Sequence, residues 1–86
     1  MSMAEQISEM EAVVVSLMEI QDDATVPRNV RTQVQSTIST LKTDTELSIK
    51  VSKALSGLSE IVNDVNLQPY TRTQIYNVMT TLEKLH

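Results

Sequence analysis

The chain has 86 residues, of which 41% are apolar and 21% charged, with a formal net charge of −4, and this is the size of one small domain. The lack of Cys excludes a disulfide framework, a thiol nucleophile and a Cys-based zinc site, and imidazole catalysis has only the last residue, His86, to draw on. One Gly and two Pro leave no Gly-rich phosphate loop and predict helices rather than many short strands.

The first predicted helix covers about residues 3–21. Its apolar residues recur at helical spacing, which predicts that they face the core. This stripe consists of Ile7, Met10, Val14 and Leu17. Ser2, with Glu5 three positions later, has the spacing of a capping box, in which side chains bond the free N–H groups at the start of a helix.

Three further apolar stripes predict three further amphipathic helices. The second helix carries Val30, Val34, Ile38 and Leu41. The third carries Leu47, Val51, Ala54, Leu55, Leu58, Ile61 and Val62. The fourth carries Ile75, Val78, Met79, Leu82 and Leu85. Thr43 and Glu46 repeat the capping-box spacing before the third helix, so the second and third helices are predicted to be antiparallel neighbours.

The two halves of the sequence resemble each other at an offset of 41 residues. Shifting residues 17–42 onto 58–83 gives nine identities in 26 positions, where unrelated segments share roughly two. The identical pairs are Leu17/Leu58, Glu19/Glu60, Ile20/Ile61, Asp23/Asp64, Arg31/Arg72, Thr32/Thr73, Gln33/Gln74, Thr40/Thr81 and Leu41/Leu82. We interpret the chain as a single helical domain over residues 1–86, built from two tandem helical hairpins at about 3–42 and 44–85.

The alignment of the two halves also predicts the chemistry of the connections. Thr25 and Asn66 are equivalent and are predicted to cap the second and fourth helices. Pro27 and Pro69 are predicted to lie in the first turns of those helices, where a missing N–H costs no hydrogen bond.

Gly57 lies inside the third predicted helix and is equivalent to Ser16 in the first. A glycine there costs about 1 kcal/mol relative to alanine. A close approach of the first and third helices would compensate this cost, and a merely tolerated glycine is the alternative.

A two-helix unit with a period of about 40–47 residues is typical of HEAT and armadillo repeats. The pattern Leu-x-Glu-Ile-x-x-Asp, followed by an Arg that opens the next helix, resembles the HEAT family. That resemblance implies a structural ladder formed by Asp23, Arg31, Asp64 and Arg72, although the spacing from Asp to Arg is longer than in HEAT repeats. The predicted fold class is all-α, either a HEAT-like repeat pair, whose copies could stack, or a compact four-helix bundle.

The charge is unevenly distributed along the chain. Residues 1–26 carry a charge of −6, residues 27–53 carry +3, and residues 54–86 carry −1. This predicts electrostatic complementarity, either within one chain or between copies. A nucleic-acid-associated regulator is the alternative function, and it would use Arg28, Arg31, Lys50 and Lys53. So few cations, diluted by acidic residues, make nucleic acid the weaker alternative.

Other candidate sites give weak signals. The pairs Asp22-Asp23 and Asn63-Asp64 lack the further carboxylates of a calcium loop, and the Met residues on apolar stripes are interpreted as core rather than as a docking surface. We therefore assign no catalytic, cofactor or metal residues and predict that the protein is not an enzyme. The longest apolar run, over residues 12–15, is too short for a membrane span or a signal sequence, so we expect a cytoplasmic protein.

Four sequence blocks resemble a family. They are Val26-Pro-Arg-Asn-Val-Arg31, Leu47-Ser-Ile-Lys-Val51, Leu58-Ser-Glu-Ile-Val-Asn-Asp64 and Arg72-Thr-Gln-Ile-Tyr-Asn77. Together they are similar to a short archaeal family of uncharacterised proteins of the UPF class. The resemblance covers most of the chain and implies an archaeal cytoplasmic protein with an all-helical fold, and it implies no activity and no site residues.

From these observations we predict a small helical scaffold or protein-interaction module that associates with itself. The architecture presents surface, and the sequence lacks the residue types that carry out chemistry. The predicted partners are further copies of the chain and an unidentified protein.

Overall fold

The computed structural model describes residues 1–85, and His86 lies outside the described residues. Four α-helices account for most of this range, and residues 1–85 contain no strand. The helices are α1 (Met3–Asp22), α2 (Arg28–Leu41), α3 (Leu47–Ile61) and α4 (Pro69–Glu83). The all-α prediction and the order of the four helices are confirmed.

The four helices close into a ring in which each helix packs against two others. α1 and α3 both contact α2 and α4, while no Cα atoms of the diagonal pairs α1–α3 and α2–α4 come within 8 Å in the described chain. The radius of gyration is 12.2 Å and the principal extents are 37 × 20 × 19 Å. The two hairpins therefore form a compact four-helix bundle within one chain.

The 41-residue offset of the sequence recurs in the structure. α2 begins at Arg28 and α4 begins at Pro69, 41 positions later. Buried positions keep the same offset, as in Val13/Ala54, Leu17/Leu58, Ile20/Ile61, Val34/Ile75 and Leu41/Leu82. Exchanging α1 with α3 and α2 with α4 maps the α2–α3 contact onto the α4–α1 contact, so the order of helix contacts agrees with the 41-residue offset.

Three of the four predicted stripes form the core. All four apolar residues of the predicted α2 stripe are buried, and those of α3 and α4 are buried apart from three half-buried side chains. The half-buried side chains are Leu47, Leu55 and Met79. A Thr also enters the core: Thr37 is 2% exposed, and its hydroxyl donates to the Gln33 carbonyl oxygen at 2.9 Å, which satisfies the buried group.

The predicted core stripe of α1 is wrong at Ile7. Leu17 is fully buried, but Ile7 is 54% exposed, and Met10 and Val14 are only partly covered. The core side of α1 is formed by Val13, Leu17 and Ile20. The predicted stripe is centred on the neighbouring face of α1, and Leu17 is the residue that it shares with the core side.

The helix starts agree with the sequence in α1 and differ elsewhere. The Ser2 hydroxyl accepts the Glu5 backbone N–H at 3.2 Å, as predicted. Thr25 and Asn66 do not cap α2 and α4, because these helices are preceded by Pro27 and Gln68, neither of which makes a side-chain cap. Pro27 therefore precedes the first turn of α2 instead of lying in it.

The predicted capping box before α3 is also wrong. The Thr43 hydroxyl donates to the Thr40 carbonyl oxygen at 2.6 Å, at the end of α2. Glu46 occupies the cap position of α3 and makes no side-chain cap bond. Thr43 therefore binds a carbonyl group at the C-terminal end of α2 and does not cap the N-terminus of α3.

Gly57 does mark a close helix contact, but with α2 rather than with α1. A Cβ atom at Gly57 would meet the Gln33 side-chain amide and would lie 3.3 Å from the Thr37 hydroxyl oxygen. The predicted approach to α1 is wrong because α1 and α3 lie diagonally in the ring. Ser16, the equivalent position in α1, lines an open cleft of about 160 Å³ against Gln74 in α4.

Candidate functional site

The predicted ladder residues lie at one end of the bundle. The connections 23–27 and 62–68 both join an ascending helix to a descending one, so they share an end, which we call the loop end. The Asn29 side-chain amide donates to an Asp64 carboxylate oxygen at 2.9 Å and links the second hairpin to the first. The first turn of α2 is thus in direct contact with the connection 62–68.

Asp23 and Asp64 each organise their own connection. Asp23 accepts the Thr25 backbone N–H at 2.9 Å and the Thr25 hydroxyl at 2.7 Å, and Asp64 accepts the Asn66 backbone N–H at 2.8 Å. These are Asx turns, and each lies before the start of the following helix, at Arg28 or at Pro69. The Thr25 hydrogen bonds lower the pKa of Asp23, and those from Asn29 and Asn66 lower the pKa of Asp64.

Arg31 and Arg72 bind backbone oxygens of the same connections. Arg31 Nε donates to the Val26 carbonyl oxygen at 3.0 Å. Arg72 makes two such bonds, from Nε to the Val62 carbonyl oxygen at 2.9 Å and from Nη2 to the Asp64 carbonyl oxygen at 2.7 Å. Both guanidinium groups therefore satisfy carbonyl groups between helices, and we interpret all four predicted residues as structural.

The cations of the nucleic-acid alternative lie at opposite ends of the bundle. Arg28 and Arg31 occupy the first turn of α2, at the loop end, and share an open polar cleft of about 280 Å³. Lys50 and Lys53 occupy the first two turns of α3, which runs antiparallel to α2 and begins at the other end. This separation divides the four cations into two pairs and does not favour a continuous phosphate-binding strip.

The described residues form neither a metal cluster nor a membrane span. Among residues 1–85, no three acidic or other ligating side chains lie close enough together to share a metal ion. Within the same range, none of the helices combines the length and the apolar character needed to cross a bilayer.

The most distinctive surface is an apolar groove along the first half of α1, at the end opposite the loop end. Two adjoining hollows of about 390 and 370 Å³ share Met10 and Glu11 and run along the helix. We call them together the α1 groove. Its apolar lining comprises Met3, Ile7, Met10, Val14, Val15, Leu41 and Leu47, and its charged rim comprises Glu11, Lys42 and Lys50.

The outer part of the groove, at Met3 and Ile7, lies where α1 extends beyond the end of α2. α1 has 20 residues and α2 has 14, and their joined ends lie together at the loop end. The six extra residues, at about 1.5 Å each, carry the start of α1 roughly 9 Å past the end of α2. Met10 is only partly covered, whereas Val51, its equivalent at the 41-residue offset, is 0% exposed.

The sequence analysis did not identify this surface, because the apolar residues that line it on α1 have the spacing of a core stripe. Ile7, Met10 and Val14 continue directly into Leu17, which is buried, so periodicity alone did not separate the covered part from the uncovered part. The available signal was the predicted length of the first helix. Where the apolar stripe of this helix extends beyond the end of the second helix, that helix cannot cover it.

Comparison with known proteins gives the family. The sequence model of an uncharacterised protein family, UPF0147, matches residues 1–85. The chain belongs to the UPF0147 family. The resemblance seen in the four sequence blocks is therefore confirmed, while the HEAT-like detail stays a prediction.

The relatives of this UPF0147 protein are archaeal. It is 38% identical to a UPF0147 protein of Archaeoglobus fulgidus over 76 residues, which is 88% of this chain and 87% of the relative. It is 42% identical to one of Methanopyrus kandleri over 67 residues, which is 77% of this chain but only 64% of that relative's length.

A solved structure of the family has the same fold. The crystal structure of a UPF0147 protein from Thermoplasma acidophilum superposes with a TM-score of 0.89 at 32% sequence identity, and the match covers 94% of this chain and 96% of that chain. This chain therefore shares its four-helix arrangement with that relative.

Proposed function

We propose that this UPF0147 protein is a small, non-enzymatic helical scaffold that acts by protein–protein contact, including contact with copies of itself. The α1 groove supports this proposal. It leaves Met3 78% exposed and Ile7 54% exposed beside half-buried apolar side chains. A contiguous apolar surface rimmed by charged residues is typical of a protein interaction site.

The size of the chain supports the same proposal. A domain of about 90 residues buries only about 60–65% of the surface its unfolded chain exposes, and this core contains no Phe or Trp. Covering the α1 groove would add apolar burial without any change in the bundle.

The experiment compares two single-residue variants with the parent chain. Ile7→Glu places a charge in the groove, and Val65→Glu places the same charge on a residue that is 90% exposed in the connection 62–68, at the loop end. Each tagged variant is tested for retention of untagged chain and of other proteins from a native extract.

We expect the parent chain and Val65→Glu to retain protein and Ile7→Glu to lose it. Far-UV circular dichroism checks that both variants keep the helical fold. If the parent chain retains nothing, or if Ile7→Glu retains as much as the parent, the proposed function is wrong.

A further inference from the structure

The occupant of the α1 groove can be identified from the groove itself. We infer that it is the α1 helix of a second copy of this chain, lying antiparallel to the first about a two-fold axis. This inference rests on the proposed function and specifies its partner. Three observations carry it: the spacing of the apolar residues, the placement of the acidic residues, and the two lysines on the opposite wall.

The apolar spacing reads the same in both directions. Met3, Ile7, Met10 and Val14 are separated by four, three and four residues, which is the seam spacing of a coiled coil. A two-fold contact requires a surface that is complementary to itself. An antiparallel copy centred between Ile7 and Met10 meets this requirement, because it sets Met3 opposite Val14 and Ile7 opposite Met10.

The acidic residues select the antiparallel direction. The segment holds Glu5, Glu9 and Glu11, and residues 1–26 contain no Lys or Arg. A parallel pairing in register would place each of these carboxylates opposite its own copy, which is destabilising. The antiparallel pairing places Ala12 opposite Glu5 and Gln6 opposite Glu11.

The opposite wall of the groove carries the complementary charge. Lys42 follows the end of α2 and lines the groove beside Val14, and Lys50 lines it beside Ile7. The incoming acidic segment of the second copy therefore lies over two lysines of the first. Because the contact is reciprocal, each dimer gains this complementarity twice.

Site-specific cross-linking tests the arrangement directly, because the chain contains no Cys. Gln6→Cys and Glu11→Cys chains are mixed and treated with a short bis-maleimide. The antiparallel contact predicts a cross-link between Cys at position 6 of one copy and Cys at position 11 of the other, and little cross-linking of the Glu11→Cys chain with itself. Val65→Cys, at the loop end, is the control and is expected not to cross-link.

Charge exchange provides a second readout. The variant Lys42→Glu with Lys50→Glu is expected to raise the dimer dissociation constant about tenfold or more, since four favourable contacts per dimer become repulsive. Adding Glu5→Lys and Glu11→Lys to the same chain restores opposite charges across the contact and is expected to restore self-association. Thermal melting by circular dichroism confirms that each variant is folded.

The outcomes separate this inference from the proposed function. A parent chain that stays a single chain at the highest soluble concentration and gives no 6–11 cross-link overturns the inference, and preferential 11–11 cross-linking overturns the antiparallel arrangement. If Ile7→Glu still abolishes capture of a different protein in that case, the proposed function stands without the inference. If it does not, both fail.

Discussion

The contact between α2 and α3 makes a quantitative prediction at Gly57. Replacing Gly57 with Ala removes the low helix propensity of a glycine inside a helix, and this alone would raise the free energy of unfolding by about 1 kcal/mol. The new Cβ would meet the Gln33 side-chain amide and lie 3.3 Å from the Thr37 hydroxyl oxygen. Moving the flexible Gln33 side chain costs about 0.5–1.5 kcal/mol. We therefore expect Gly57→Ala to change the free energy of unfolding by no more than about 0.5 kcal/mol.

The predicted coupling appears when Gln33 is shortened. In a Gln33→Ala background the blocking amide is gone, so Gly57→Ala is expected to stabilise by about 0.5–1.5 kcal/mol more than in the parent. Ser16→Ala is the matched control, because Ser16 occupies the equivalent position against the open α1–α4 cleft. Its effect is expected to be the same with and without Gln33.

Urea unfolding followed by far-UV circular dichroism measures all of these variants on one scale, provided that unfolding is two-state. A coupling of zero between positions 57 and 33 would contradict the close approach of α3 to α2. A coupling of Gly57 to a residue of α1 would instead support the diagonal contact that the sequence predicted.

Two further predictions concern the loop end. Arg72→Met is expected to lower the free energy of unfolding by about 2 kcal/mol and Arg31→Met by about 1 kcal/mol, because Arg72 makes two charge-assisted bonds to carbonyl oxygens and Arg31 makes one. Equal losses in urea unfolding would contradict this reasoning. Because the folded chain lowers the pKa of Asp23 and Asp64, their contribution to stability is present above the ordinary pKa of about 3.9 and is lost as the pH falls through the lowered values. The double variant Asp23→Asn with Asp64→Asn is therefore expected to lose less stability than the parent between about pH 5 and pH 2. Parallel pH curves for the parent and the double variant would refute the role of the two Asx turns.

The helices and their order were readable from the sequence because they depend on local periodicity and on the repeat. The α2 stripe, from Val30 to Leu41, is buried as predicted. The 41-residue offset also placed α2 and α4 correctly relative to each other. Both signals come from hydrophobic spacing, which does not require knowledge of the packing partner.

The errors concern which helices are neighbours and where each helix starts. The sequence correctly predicts a close helix contact at Gly57, but with α1 instead of α2. The spacing of apolar residues contains no information that α1 and α3 lie diagonally in the ring. Thr25 and Asn66 are predicted as caps because either side chain is a good cap, yet α2 and α4 begin three residues later, at Arg28 and Pro69. A tertiary neighbour decides the first outcome, and the position of the helix start decides the second.

The α1 groove also depends on how the helices are placed relative to one another. Ile7 has the spacing of a core residue and is exposed only because α2 ends before reaching it. The sequence therefore predicted that these positions are apolar, but only the relative lengths and positions of the helices show that one chain cannot cover them.

Light scattering coupled to size exclusion tests the central claim most directly, namely that one chain leaves its α1 groove to be covered by another. We expect the parent chain and Val65→Glu to show a concentration-dependent mass that rises toward twice the 9.6 kDa of a single chain. We expect Ile7→Glu to remain at the mass of one chain with its helical content unchanged. A parent chain that remains at 9.6 kDa at every concentration, or an Ile7→Glu variant that dimerises as well as the parent, would contradict the claim.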